Sequence, residues 1–97
     1  MRFCVLDGKK ITDKEILHDI LKNELDLPDW YGRNLDALYD CLTEAAEDME
    51  IVIKNKEVLE CCLGRYAAGL WKVLRAAEQE NQSLKVTVSM AGKSGDM

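Results

Sequence analysis

The sequence predicts an α/β protein: a small three-stranded parallel sheet packed with about four helices. Short β-branched or apolar runs at residues 2–6, 51–54 and 84–88 read as strands. The connections between them, of about 44 and 30 residues, carry helical periodicity. An antiparallel pair needs only a hairpin of a few residues, whereas long helical connections belong to parallel pairing.

The elements follow in order. "RFCVL" is closed by the turn pair Asp7-Gly8. Thr12 and Glu15 form the capping-box pattern T-D-K-E, with Ile11 and Ile16 placed as a hydrophobic staple around it. Ile16, Leu17, Ile20 and Leu21 give the next helix its apolar face, and His18 lies off that stripe as a solvated or locally hydrogen-bonded histidine. Pro28 ends the helical region, and "DWYGR" is a loop in which Gly32 is free to take a positive φ. Asn34 is the N-cap of a second helix running to about Ala46. Its inward residues are Leu35, Leu38, Leu42 and Ala45; Asp36, Asp40, Thr43 and Glu47 fall opposite, with Tyr39 at the edge.

The strand "IVIK" is followed by a short helix capped by Asn55, with Val58, Leu59 and Cys62 as its apolar positions and Gly64 as its breaker. A longer helix spans about 66–80 with Leu70, Trp71, Leu74 and Ala77 inward, and Asn81 is its left-handed stop. "LKVTV" alternates as the third strand. A single domain over residues 1–90 is expected, with a flexible polar C-terminal tail at 91–97.

Composition narrows the function classes. Of 97 residues, 47% are hydrophobic and 32% charged, which is ordinary for a water-soluble globular chain. No apolar run approaches the roughly 18 residues of a membrane span, and "MRFCVLDG" is too short in apolar residues for a signal-peptide core. A cytoplasmic protein without a membrane partner is the expectation. Cys4, Cys41, Cys61 and Cys62 lack C-x-x-C or zinc-finger spacing, so they read as buried or half-buried reduced thiols, with no metal site and no cofactor.

The net charge of −5 is unevenly spread. Between residues 29 and 50 stand Asp29, Asp36, Asp40, Glu44, Glu47, Asp48 and Glu50 against Arg33 alone. Such a segment repels nucleic-acid phosphates and attracts a basic protein. Trp30, Tyr31 and Tyr39, half of the six aromatics, stand within the same stretch. A charged helix stripe is often only the wet face of the helix. Aromatics beside charges are instead the composition of a protein interface. Asp36 and Asp40 have no nucleophile motif, glycine-rich phosphate loop or second histidine to work with, so the chain reads as non-enzymatic.

The stretch from "LHDILKNEL" through "LPDWYGRNLDALYDCLT" resembles the barstar family, intracellular inhibitors of barnase-type secreted ribonucleases; weaker similarity continues through "WKVLRAAEQE" and the last strand. The resemblance implies a parallel three-stranded α/β fold whose second helix and preceding loop plug a ribonuclease active site. It places Asp40 at the family's phosphate-mimicking aspartate and Asp36 at a second carboxylate that pairs with an enzyme arginine. Trp30 and Tyr39 fall at aromatic interface positions, and Gly32, Asn34, Leu35 and Thr43 at other contacts. With Tyr31 and Glu44 these form the candidate partner-binding set. Ala76 stands where the family has a further interface glutamate, Glu44-Ala45 where it has Gly-Trp, and Arg33 where it has an acid. The implied partner is a basic secreted ribonuclease or nuclease toxin, bound one-to-one by a monomer or weak homo-oligomer. The alternative is a barstar-fold interaction module with a non-nuclease partner.

Overall fold

The three apolar runs become neighbours in one sheet. In the computed structural model, which describes residues 2–89, β1 (Arg2–Asp7), α1 (Lys14–Leu25), α2 (Leu35–Glu44), β2 (Met49–Lys54), α3 (Lys56–Leu63), α4 (Arg65–Glu80) and β3 (Leu84–Val88) follow in that order. The strands lie in the order β1-β2-β3, and both pairings are parallel, with Cys4 opposite Ile51 and Ile51 opposite Val86. The tail expected at 91–97 lies outside the described residues.

Strand side chains alternate in direction. Cys4, Leu6, Met49, Ile51, Ile53, Leu84 and Val86 are therefore all buried on one face. The helices cover that face, α1 against β1 and α4 against β3, and α2 packs on α4. Leu17, Leu21, Leu38, Leu42, Leu59, Leu70 and Leu74 fill the space between, each contributing about 1.5–3 kcal/mol by leaving water. The other face carries Phe3 and Val5, 55% and 40% exposed. Gly69 faces α2: a Cβ there would lie 2.9 Å from Leu35 Cδ1, the mobile end of that side chain, which would have to shift.

Several local expectations change. Asp13, not Thr12, is the N-cap of α1; its carboxylate accepts from the Ile16 N–H at 3.0 Å. The aspartate brings a full negative charge to the positive helix end, which the threonine lacks. Asn55 is left-handed at φ 53 and gives α3 no side-chain cap; its amide donates to Asp7 Oδ1 at 2.8 Å instead. The β1 turn passes so close beneath α3 that a Cβ on Gly8 would sit 2.3 Å from the Asn55 carbonyl oxygen.

Asn81 does not stop α4 with a left-handed backbone; its φ is −127. Its side chain donates to the carbonyls of Leu42 (2.7 Å) and Ala45 (3.0 Å), which ends α2 at Glu44 rather than Ala46. On α3 only Leu59 is buried, and Val58, Cys61 and Cys62 are exposed. The expectation of four buried or half-buried thiols therefore fails for two, because an eight-residue helix lying on one leucine shows most of its surface to water. Cys4 does fit it: burial, with Glu24 adding to the effect, pushes its thiol up to about 12. Trp71 sits at the margin of the core, its indole donating to Glu60 Oε2 at 2.9 Å.

Candidate partner-binding surface

The surface begins where α1 stops. Asp26 turns left-handed (φ 54) and gives its N–H to the Lys22 carbonyl, closing the helix. The Pro28 carbonyl then accepts from the Tyr31 N–H at 3.0 Å, forming a turn over Asp29 and Trp30. That turn sends the two rings in opposite directions. Trp30 projects outward, 66% exposed, while Tyr31 is only 4% exposed.

Tyr31 was expected at the surface, and His18 as a solvated or locally hydrogen-bonded residue. Both are instead inside, bonded to each other through the Tyr31 hydroxyl and His18 Nδ1. His18 Nε2 meets the Tyr66 hydroxyl at 2.6 Å, so one 2%-exposed imidazole ties α1, the loop and α4 together. A neutral imidazole donates from one nitrogen and accepts at the other, so one tyrosine hydroxyl donates and its counterpart accepts. Burial holds the His18 pKa below its ordinary 6.5, with Arg33 and Lys14 adding to the effect and Asp19 opposing it. Burial also raises the Tyr31 and Tyr66 phenols, which stay protonated. A signal was present in the sequence: His18 precedes Leu21 and Leu25 by three and seven residues, on the same side of α1.

Positive φ falls on Arg33 (φ 57), not on Gly32. A left-handed non-glycine residue costs about 1–2 kcal/mol. Arg33 turns that conformation into a latch, with its guanidinium 2.7 Å from Asp19 and donating to the Glu15 carbonyl at 3.1 Å. Asn34 follows as the N-cap, accepting from the Ala37 N–H at 2.8 Å and donating to the Gly32 carbonyl at 3.2 Å.

Leu38, Cys41 and Leu42 seat α2 on the core, and Leu35 and Tyr39 are half-buried beside them. Asp36, Asp40 and Glu44 are exposed at i, i+4 and i+8, one above another. Each like-charged pair costs the helix about 0.2–0.5 kcal/mol, and only Asp36 lies in the first turn, where the helix dipole favours it. None of the three makes an ion pair among the described residues; the bases in reach of the loop are taken by other acids. Arg2 pairs with Asp26 and Glu47, Lys22 with Asp29, and Arg33 with Asp19. The Thr43 hydroxyl donates to the Tyr39 carbonyl at 2.9 Å, within its own helix.

The fold thus leaves Trp30, Gly32, Asn34, Asp36, Asp40 and Glu44 exposed, the three carboxylates forming a ridge along α2, while Leu35, Tyr39 and Thr43 are half-buried and Tyr31 is buried. The described residues hold no group of three or more His, Cys, Asp or Glu side chains placed to bind a metal ion. No described helix is long and apolar enough to cross a membrane.

Residues 1–91 match the family model described as "Barstar (barnase inhibitor)". The chain is also 46% identical over 81 residues to the Bacillus subtilis (strain 168) protein named "Putative ribonuclease inhibitor YrdF", an alignment covering 82% of this chain and 89% of that protein. With three parallel strands in one sheet, helices on its buried face and a family match over nearly its whole length, the chain belongs to the barstar family.

Proposed function

We propose that this protein inhibits a basic microbial ribonuclease, or a nuclease toxin with a similarly basic active site, by seating α2 and its preceding loop in that site. The observation that carries the reading is the line Asp36, Asp40, Glu44, three exposed carboxylates with no counter-ion among the described residues, on a helix capped at both ends. An enzyme that holds RNA phosphate concentrates cations in a cleft, and an acidic ridge is complementary to that cleft in both shape and charge. Asp40, at the middle of the ridge, takes the place of a substrate phosphate. Asp36 pairs with a second enzyme cation, and Trp30 and Tyr39 shield the pair from water. The name of the Bacillus subtilis relative supports the same role. The complex is one-to-one, and the site performs no chemistry of its own.

The test is calorimetric titration against barnase and other basic secreted nucleases, with Asp40→Ala alongside. Tight one-to-one binding that blocks RNA cleavage is expected. Truncating one partner of a buried charge pair costs about 2–5 kcal/mol, a range whose reference case is the barnase–barstar pair itself, or roughly 30- to 5,000-fold in Kd. Asp40→Ala belongs at the upper end and Asp36→Ala below it. An Asp40→Ala protein that binds as tightly as the parent would remove the ridge from the mechanism. Absence of binding to every nuclease would favour an interaction module with a different partner.

A further inference from the structure

Next to the acidic ridge lies a cleft of about 280 Å³, lined by Arg2, the 25–30 connection, Cys41 and Glu44 of α2, and the 45–49 segment that leads into and begins β2. Small-molecule sites hold about 300–1,000 Å³, so this one is sized for a single long side chain rather than a cofactor. Its apolar lining includes Leu27, Pro28, Trp30 and Met49. Three carboxylates, Asp26, Glu44 and Glu47, line it against one guanidinium. That guanidinium, Arg2, is already engaged by Glu47 at 2.6 Å and Asp26 at 3.3 Å. Glu44 makes no ion pair among the described residues, so the lining has a net negative charge and one carboxylate available.

We propose that this cleft is a second anchor seat, which receives an arginine side chain of the partner protein. The proposal rests on the reading that α2 docks on a basic protein, and it adds where a further partner cation goes. An arginine has the required composition. Its aliphatic stem lies on the Leu27–Pro28–Met49 wall, and its planar guanidinium stacks on the Trp30 indole and forks onto the Glu44 carboxylate. Glu44 stands one helical turn beyond Asp40 and belongs to both the ridge and the cleft, so a protein seated on Asp40 reaches the cleft without a gap. Cys41 also lines the cleft. Burial first, then Glu44 and Asp40, push its thiol up, which leaves it a neutral packing group rather than a competing ligand.

Two arms separate this proposal from the reading it rests on. In the first, the ¹⁵N-labelled full chain is titrated with Nα-acetyl-arginine amide, with Nα-acetyl-norleucine amide as the apolar control. Saturable shifts at Leu27, Glu44, Met49 and the Trp30 indole are expected with the arginine amide only. They should weaken about three- to fivefold in Glu44→Gln, an exposed substitution that leaves the core intact, and vanish in Ala46→Trp, which fills the cleft. Equal shifts with the norleucine amide, or shifts indifferent to Glu44→Gln, would overturn the seat. In the second arm, dissociation from barnase is followed for Glu44→Gln and Asp40→Ala. About tenfold faster release of Glu44→Gln is expected for loss of one charge-assisted contact. If Asp40→Ala releases barnase while Glu44→Gln behaves as the parent, the ridge stands and the anchor falls. If barnase does not bind at all, the arginine amide titration alone decides the seat.

Discussion

Replacing Tyr31 by phenylalanine removes one oxygen atom from a place water does not reach, and its cost follows from what that atom holds. The Tyr31 hydroxyl satisfies Nδ1 of His18, and the two residues are 4% and 2% exposed. Without it a ring nitrogen is left unpaired in the interior, which costs about 1–3 kcal/mol. At about 4–8 °C per kcal/mol for a domain of this size, the melting temperature should fall by roughly 5–20 °C. Tyr66→Phe breaks the bond at Nε2, but Tyr66 is only half-buried, so water can substitute and about 0.5–1.5 kcal/mol is expected. Urea unfolding of the parent and both variants measures the difference. Tyr31→Phe should also release a basic nuclease of the proposed kind faster than the parent, although the hydroxyl is buried, because the loop carrying Trp30 loses its inner tether. A Tyr31→Phe protein as stable as the parent, or one less affected than Tyr66→Phe, would refute the tether.

Other consequences follow from single contacts. His18 has a folded-state pKa held below 6.5 by burial, Arg33 and Lys14, against Asp19. The folded state therefore binds fewer protons than the unfolded chain below that pH. The stability contributed by the neutral ring is complete above 6.5 and is lost as pH falls through the lowered folded value. His18→Phe should flatten that part of the stability–pH curve, and an unchanged slope in urea melts would count against it. Gly8→Ala forces a Cβ to within 2.3 Å of the Asn55 carbonyl oxygen and 2.6 Å of the Leu59 nitrogen, both backbone atoms, so a loss of about 1–3 kcal/mol or more is expected by calorimetry. Asn81→Ala strips the donors from the Leu42 and Ala45 carbonyls and should cost about 1–3 kcal/mol, with faster amide exchange at the end of α2.

Parallel pairing and helix count were open to sequence reasoning because they rest on patterns repeated along the chain. Period-two burial in β2 and the three-four spacing of leucines in α2 each involve several residues that agree. Asn34 was legible as a cap for a local reason: its partner, the Ala37 N–H, is three residues away. What was missed depends on partners distant in sequence. His18 reads as a solvated or locally bonded histidine until Tyr31 and Tyr66, 13 and 48 residues on, supply hydroxyls for both ring nitrogens. Asn81 reads as a left-handed stop until carbonyls more than 30 residues earlier claim its amide. Arg33 rather than Gly32 is left-handed because Asp19 and Glu15 on another helix hold its guanidinium. The exposed carboxylates of the ridge were readable because they lack internal partners, so nothing distant revised their placement.

That lack of internal partners is also what makes the ridge suited to a cationic pocket. If Arg2, Lys22 or Arg33 bridged to Asp36, Asp40 or Glu44, a nuclease would first have to break those bridges, and the exchange of one ion pair for another would yield little. Instead each base is held by a different acid, two of them latching the loop from outside: Arg33 on Asp19 and Lys22 against Asp29. The His18–Tyr31 bond holds the same loop from inside. Ordering a free segment costs about 1–2 kcal/mol per residue, and here that cost is met when the protein folds rather than when it binds. On the proposed reading, docking a nuclease would then have to remove water from the carboxylates and little else. The mutual repulsion of the ridge, about 0.2–0.5 kcal/mol per pair, is the small standing cost of keeping those charges unpartnered, and an enzyme cation placed between them would relieve it.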